Sequence, residues 1–65
     1  MKAYEAKKGS TVRVIDDNVR NRHGTPIVKK GDIIVLGHLD GMYCNGTNED
    51  GQGVCIAAWT RITYL

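Results

Sequence analysis

The feature that most restricts the fold is the alternation of short β-branched runs with glycine-bearing turns. Ser10 to Ile15 reads S-T-V-R-V-I, where Val12 and Val14 alternate with Thr11 and Arg13, the period of a half-buried strand. The turn Lys29-Lys30-Gly31-Asp32 launches Ile33-Ile34-Val35-Leu36, the most apolar run, which reads as the central strand. His38 to Gly41 carries Asp-Gly, a type I′ hairpin signal, and leads into Met42-Tyr43-Cys44. Val54 to Ala57 and Ile62 to Leu65 read as the last strands, with a short 3-10 turn predicted at Ala57-Ala58-Trp59 between them. Turn signals at intervals of about eight to twelve residues imply an all-β fold. A chain of 65 residues can enclose only one core, so one barrel of about five strands is expected over residues 1–65.

Between these runs lie segments of a different kind. Asp16 to Thr25 has the composition of a long polar loop, with Arg20, Arg22 and His23 as its cations. Pro26 cannot donate to a ladder, which places it at a strand start or on an edge, with Ile27 and Val28 beyond it. Asn45 to Gly53 holds Asn-Gly and Asp-Gly and reads as a loop or distal hairpin; Asn45-Gly46-Thr47 fits a glycosylation acceptor but reads more economically as a turn. Lys7-Lys8-Gly9 and Lys29-Lys30-Gly31 are repeated turn chemistry and not a structural repeat. The aromatics are Tyr4, Tyr43, Trp59 and Tyr64; with no Phe, two or more of them are expected in the core, Trp59 as a packing residue.

Composition excludes several classes. A chain 42% hydrophobic and 25% charged has the means to fold and is not a disordered segment. No apolar run approaches the roughly 18–20 residues of a membrane span, and no leader pattern opens the chain, so a cytoplasmic protein without membrane contact is expected. Cys44 and Cys55 then read as reduced strand residues, a disulfide across a hairpin being the alternative. His23 and His38 fall in different predicted loops, and the two cysteines lack close Cys-x-x-Cys spacing, so no metal site is expected. No nucleophile-and-base set and no phosphate-binding glycine motif is spelled out, which argues against an enzyme and against a bound cofactor.

From Lys30 to Leu65 the order of signals resembles an SH3-like domain: Lys-Gly-Asp into an apolar strand, Asp-Gly before an aromatic strand, Asp-Gly-x-Gly, a small-residue turn and a last strand. Val12 to Gly31 then corresponds to the first strand and its long RT-type loop. The peptide-binding SH3 branch carries an Ala-Leu-Tyr-Asp-Tyr segment and a tandem Trp; here Met42-Tyr43 stands where the Trp pair would be, and proline-rich recognition is not implied. Val12-Arg13-Val14, followed by Arg20, Arg22, His23-Gly24 and Ile27-Val28, is also similar to a KOW segment, the nucleic-acid-associated version of the barrel. Tyr43-Cys44 and Ala57-Ala58 through Ile62 are similar to the type II dihydrofolate reductases, whose Val-Gln-Ile-Tyr active-site motif is absent, so their activity is not implied.

Charge supplies the functional lead. The net +2 divides into +5 over residues 1–30 and −3 over residues 31–65, which suits a bipolar surface. Arg20, Arg22, His23, Lys29 and Lys30 make a basic edge for carboxylates or phosphates, and Met42 and Tyr43 add an adaptable apolar contact. The expected function is a small non-enzymatic module that docks on a partner protein as a regulator or inhibitor. By analogy, it is of the kind that small genomes such as those of bacteriophages encode. A nucleic-acid-binding KOW or OB barrel is the first alternative, and an oligomer that binds a small ligand in a shared pore is the second. A homo-oligomer is compatible with each, because edge strands pair readily across a two-fold axis.

Overall fold

Alternating burial decides which residues face inward. The computed structural model describes residues 1–65 and is all-β, with strands β1 (Thr11–Val14), β2 (Ile33–Asp40), β3 (Tyr43–Asn48), β4 (Gly53–Ala57) and β5 (Ile62–Tyr64). They form one antiparallel sheet in the order β4-β3-β2-β1-β5. Extents of 25 × 24 × 22 Å show that this sheet curls round its core instead of lying flat. Val12 and Val14, Ile34 and Leu36, Cys44, Val54 and Ile56, and Ile62 meet inside, and Ala3 and Val28 join them from outside the strands. No helix is long and apolar enough to cross a membrane.

The predicted turn at Ala57-Ala58-Trp59 closes with the Thr60 N–H donating to the Ala57 carbonyl at 3.0 Å. The one 3-10 helix stands at the other end of the chain, Ala3–Glu5, and packs on that turn: Tyr4 N–H donates to the Ala58 carbonyl and Ala3 N–H to the Thr60 carbonyl. Thr60 is buried, and its hydroxyl donates to the same Ala57 carbonyl at 2.7 Å.

Several expectations need correction. Asn45-Gly46 is not a turn but strand: β3 continues to Asn48, and only Glu49 to Gln52 lie between it and β4. Gly46 is there because the backbones of β2 and β3 approach closely, so that a Cβ would lie 2.8 Å from the Val35 carbonyl oxygen. The loop is capped by Asn48, whose side-chain oxygen accepts the N–H groups of Asp50 and Gln52. His38 likewise belongs to a strand, β2, which runs to Asp40. The hairpin loop is Gly41-Met42 and not Asp40-Gly41; Gly41 has φ +63° and no non-glycine has positive φ, the sign pattern of a type II′ turn.

Pro26 to Val28 forms no strand, because the Asn21 amide takes both backbone groups of Val28 and turns its side chain into the core. No aromatic is buried; the core is filled by Val, Ile, Leu, Ala and Cys, which leaves Trp59 on the surface. Cys44 pairs with Ile56 and faces the core, whereas Cys55, opposite Asn45, faces the other side of the sheet. Both thiols are free, and side chains on opposite faces do not bridge.

Gly46→Ala is expected to lower unfolding stability by about 1–3 kcal/mol, the cost of forcing packed elements apart. Gly53→Ala, whose Cβ meets nothing within 4 Å, should lose less than about 1 kcal/mol or gain a little. Urea titration of the two variants measures the difference. By the same method Thr60→Val should cost about 1 kcal/mol, the net worth of one buried hydrogen bond.

Candidate functional site

The long segment between β1 and β2 does not hang free. Asn21 bridges Ile56 across the outer edge of β4, with Arg22 N–H donating to the Cys55 carbonyl at 3.0 Å and Ala57 N–H to the Arg20 carbonyl at 2.9 Å. The Asn21 amide then ties this limb to the returning one, accepting from Val28 N–H at 2.9 Å and donating to its carbonyl at 3.1 Å. One asparagine thus fixes the loop to itself while its backbone covers a strand edge.

That pairing determines where the cations lie. Arg20 stands opposite Ala57 and Arg22 opposite Cys55, and β3 sets Tyr43 and Asn45 against the same two residues. Opposite residues in antiparallel strands share a face, so Arg20, Ala57 and Tyr43 form one row and Arg22, Cys55 and Asn45 the next. Ala57 and Cys55 are 0% and 4% exposed on this outer face, since the loop and the neighbouring side chains cover them. Met42 is joined to the same place by the bond from Ala58 N–H to its carbonyl at 2.8 Å, and Trp59 follows directly. Met42 is 65% and Trp59 40% exposed.

Of the predicted site residues, Arg20, Arg22, Met42 and Tyr43 therefore come together. His23 sits exposed at the loop tip, next to Arg22, whose carbonyl accepts both the backbone N–H and the hydroxyl of Thr25. Lys29 follows Val28 on the second limb, with its N–H held by Asp32 at 2.9 Å. Lys30 is drawn away, its ammonium 2.7 Å from the Asp17 carboxylate. Trp59 was missed as a site residue; the absence of Phe suggested an aromatic core, whereas the abundance of Val and Ile pointed the other way.

Charge also pins the base of the loop. The Asp16 carboxylate accepts the N–H groups of Arg61 and Asn18, each at 3.1 Å, and these bonds hold its pKa below the ordinary aspartate value. Lys30 lowers that of Asp17, by hydrogen bond and then by charge. Burial raises the Cys44 thiol, with a smaller contribution from Cys55, so Cys44 stays protonated and unreactive at neutral pH. No three His, Cys, Asp or Glu side chains gather where they could hold a metal ion.

A depressed carboxylate contributes stability that is present above its unfolded pKa, about 3.9, and lost as pH falls through its folded pKa. Stability should accordingly fall between about pH 5 and pH 2. Asp16→Asn should make that decline shallower, as read from urea midpoints across the range.

Comparison with known proteins gives no family model, curated protein or solved structure that matches the chain.

Proposed function

We propose that this chain is a small non-enzymatic binding module, a cytoplasmic SH3-like barrel that docks on a partner protein to regulate or inhibit it. The docking face comprises Arg20, Arg22, Tyr43, Met42 and Trp59, with His23 and Lys29 at its margin. What supports the barrel is the strand order β4-β3-β2-β1-β5, with a long loop between the first two strands that folds back on β4. Two thiols on opposite faces of the sheet suit a reducing compartment.

One observation carries the docking face. Arg20 and Arg22 have no carboxylate within 4 Å, the Lys30–Asp17 pair being the only ion pair, yet their backbones are fixed to β4 beside an exposed Met and Trp. Arg and Trp are the residue types that most often anchor protein interfaces, and a surface held by strand pairing loses little freedom on binding. An acidic partner surface with an apolar centre meets both needs. The same surface is less suited to nucleic acid, because Lys30 is engaged by Asp17 and the neighbouring strand β2 adds Asp40 opposite Tyr43.

The test is affinity capture from a lysate of the organism that carries the chain, with and without nuclease, using the native protein, an Arg20→Ala/Arg22→Ala variant and Trp59→Ala. One protein retained after nuclease treatment and weakened roughly 30-fold in each folded variant is expected. Equal retention by the double variant sinks the assignment of the face. A nuclease-sensitive, salt-dependent, heterogeneous set replaces protein docking with nucleic-acid binding. A solution mass that is a multiple of 7.2 kDa brings forward the oligomeric barrel.

A further inference from the structure

β2 outruns its partner on one side. Its first half pairs with β1, and the last bonds between them join Leu36 to Gly9 and Ser10. Beyond Leu36 the register to β3 shifts, and Leu39 then stands opposite Cys44 and Asp40 opposite Tyr43. Asp40 and Tyr43 close the two-residue turn and are a hydrogen-bonded pair. Leu39 and Cys44 are therefore the alternating, non-bonded pair, and the N–H and C=O of Leu39 turn away from β3 toward the side that β1 has left. No bond from Leu39 to any other segment exists.

A groove of about 200 Å³ lies along this free edge. Ala3, Ala6, Leu36 and Cys44 line it, and Tyr4 and Leu39, 57% and 52% exposed, form its rim. It is larger than the apolar cavity of about 150 Å³ that takes a benzene ring, so one Leu- or Phe-sized side chain fits. Lys8 also lines it, and neither Lys8 nor its neighbour Lys7 has a carboxylate within 4 Å. The nearby Glu5 carboxylate is occupied, accepting the Lys2 N–H at 2.7 Å.

We infer that the Leu39 edge of β2 is a second binding site, for an extended, acid-flanked segment of a partner protein that adds as an antiparallel strand. One peptide residue exchanges both main-chain hydrogen bonds with Leu39. Side chains directly opposite one another share a face, and Leu39 shares the face of Cys44, so the residue that pairs with Leu39 also drops its side chain into the groove. Main-chain bonds supply affinity and the groove selects an apolar anchor. An acid beside the anchor meets Lys8. This inference goes beyond the docking face, with which it shares no residue.

The test is an amide NMR titration of the labelled full chain with acetylated, amidated heptapeptides. Their central residue is Leu, Phe or Ser, in flanks of Val and Asp/Glu or of Val and Lys. Acid-flanked Leu and Phe peptides should shift Tyr4, Ala6, Lys8, Gly37 and Leu39, with the Leu39 amide proton moving downfield as it gains an acceptor. N-methylation of the central peptide residue should weaken binding roughly tenfold, which removes a main-chain bond without touching the protein. Ala6→Leu, which narrows the groove, should weaken it as well. No shift at these amides with any peptide overturns the inference, as does binding indifferent to N-methylation. Shifts confined to Arg20, Arg22, Tyr43 and Trp59 overturn it while leaving the docking face in place.

Discussion

The turn from Ala57 to Thr60 is the point on which the rest of the molecule depends. Successive residues bind different segments: Ala57 N–H the Arg20 carbonyl, Ala58 N–H the Met42 carbonyl, the Ala58 carbonyl the Tyr4 N–H, and the Thr60 carbonyl the Ala3 N–H. Loop, hairpin turn and N-terminal 3-10 helix are thereby fixed to a segment itself closed by both the backbone and the hydroxyl of Thr60 on Ala57. Small side chains are a condition of this arrangement, since backbones from several directions meet where Ala57 and Ala58 are buried. A buried hydroxyl satisfied within its own turn needs no partner elsewhere, so Thr60 introduces no polar debt into the core.

Core volume follows from the same compactness. A sheet wrapped into extents of 25 × 24 × 22 Å leaves little space inside, and β-branched aliphatics alternating along short strands fill it. No aromatic ring is buried there. Trp59 and Met42 emerge where the central turn brings Arg20 and Tyr43 alongside, whereas Tyr4 and Leu39 are exposed beside the groove.

Strand existence was legible in the sequence because it rests on local periodicity: Val12 and Val14 announce β1, and Ile33 to Leu36 announce β2, before any tertiary contact is considered. Asn45-Gly46 misled because a glycine demanded by a turn and one demanded by an approaching carbonyl look identical in sequence; the Val35 oxygen that excludes a Cβ is eleven positions away. Pro26 to Val28 misled for a related reason, a side-chain amide seven residues distant having taken the backbone bonds a strand needs. For the proposed docking face, Arg20, Arg22, Met42 and Tyr43 could be named from residue type, but not their convergence, which comes from the Asn21–Ile56 bridge. Lys30 carried the same charge as its neighbours, and only the folded loop brings Asp17 to it.

Edge management ties these observations together. A curled sheet with end strands β4 and β5 has two outer edges to protect. The Arg20–Arg22 limb covers β4 from Cys55 to Ala57, and Met1 covers the start of β5 through paired bonds with Ile62, preceded by the Lys2–Arg61 bridge. Both protections are made by irregular segments, at the cost of keeping those segments rigid. β2 is different, since it is central over its first half and an edge over its second, and the 3-10 helix that fills the gap with Ala3 stops short of Leu39. The second half of β2 adds to its free main-chain groups an apolar groove beside them, and that combination is what the proposed added strand uses.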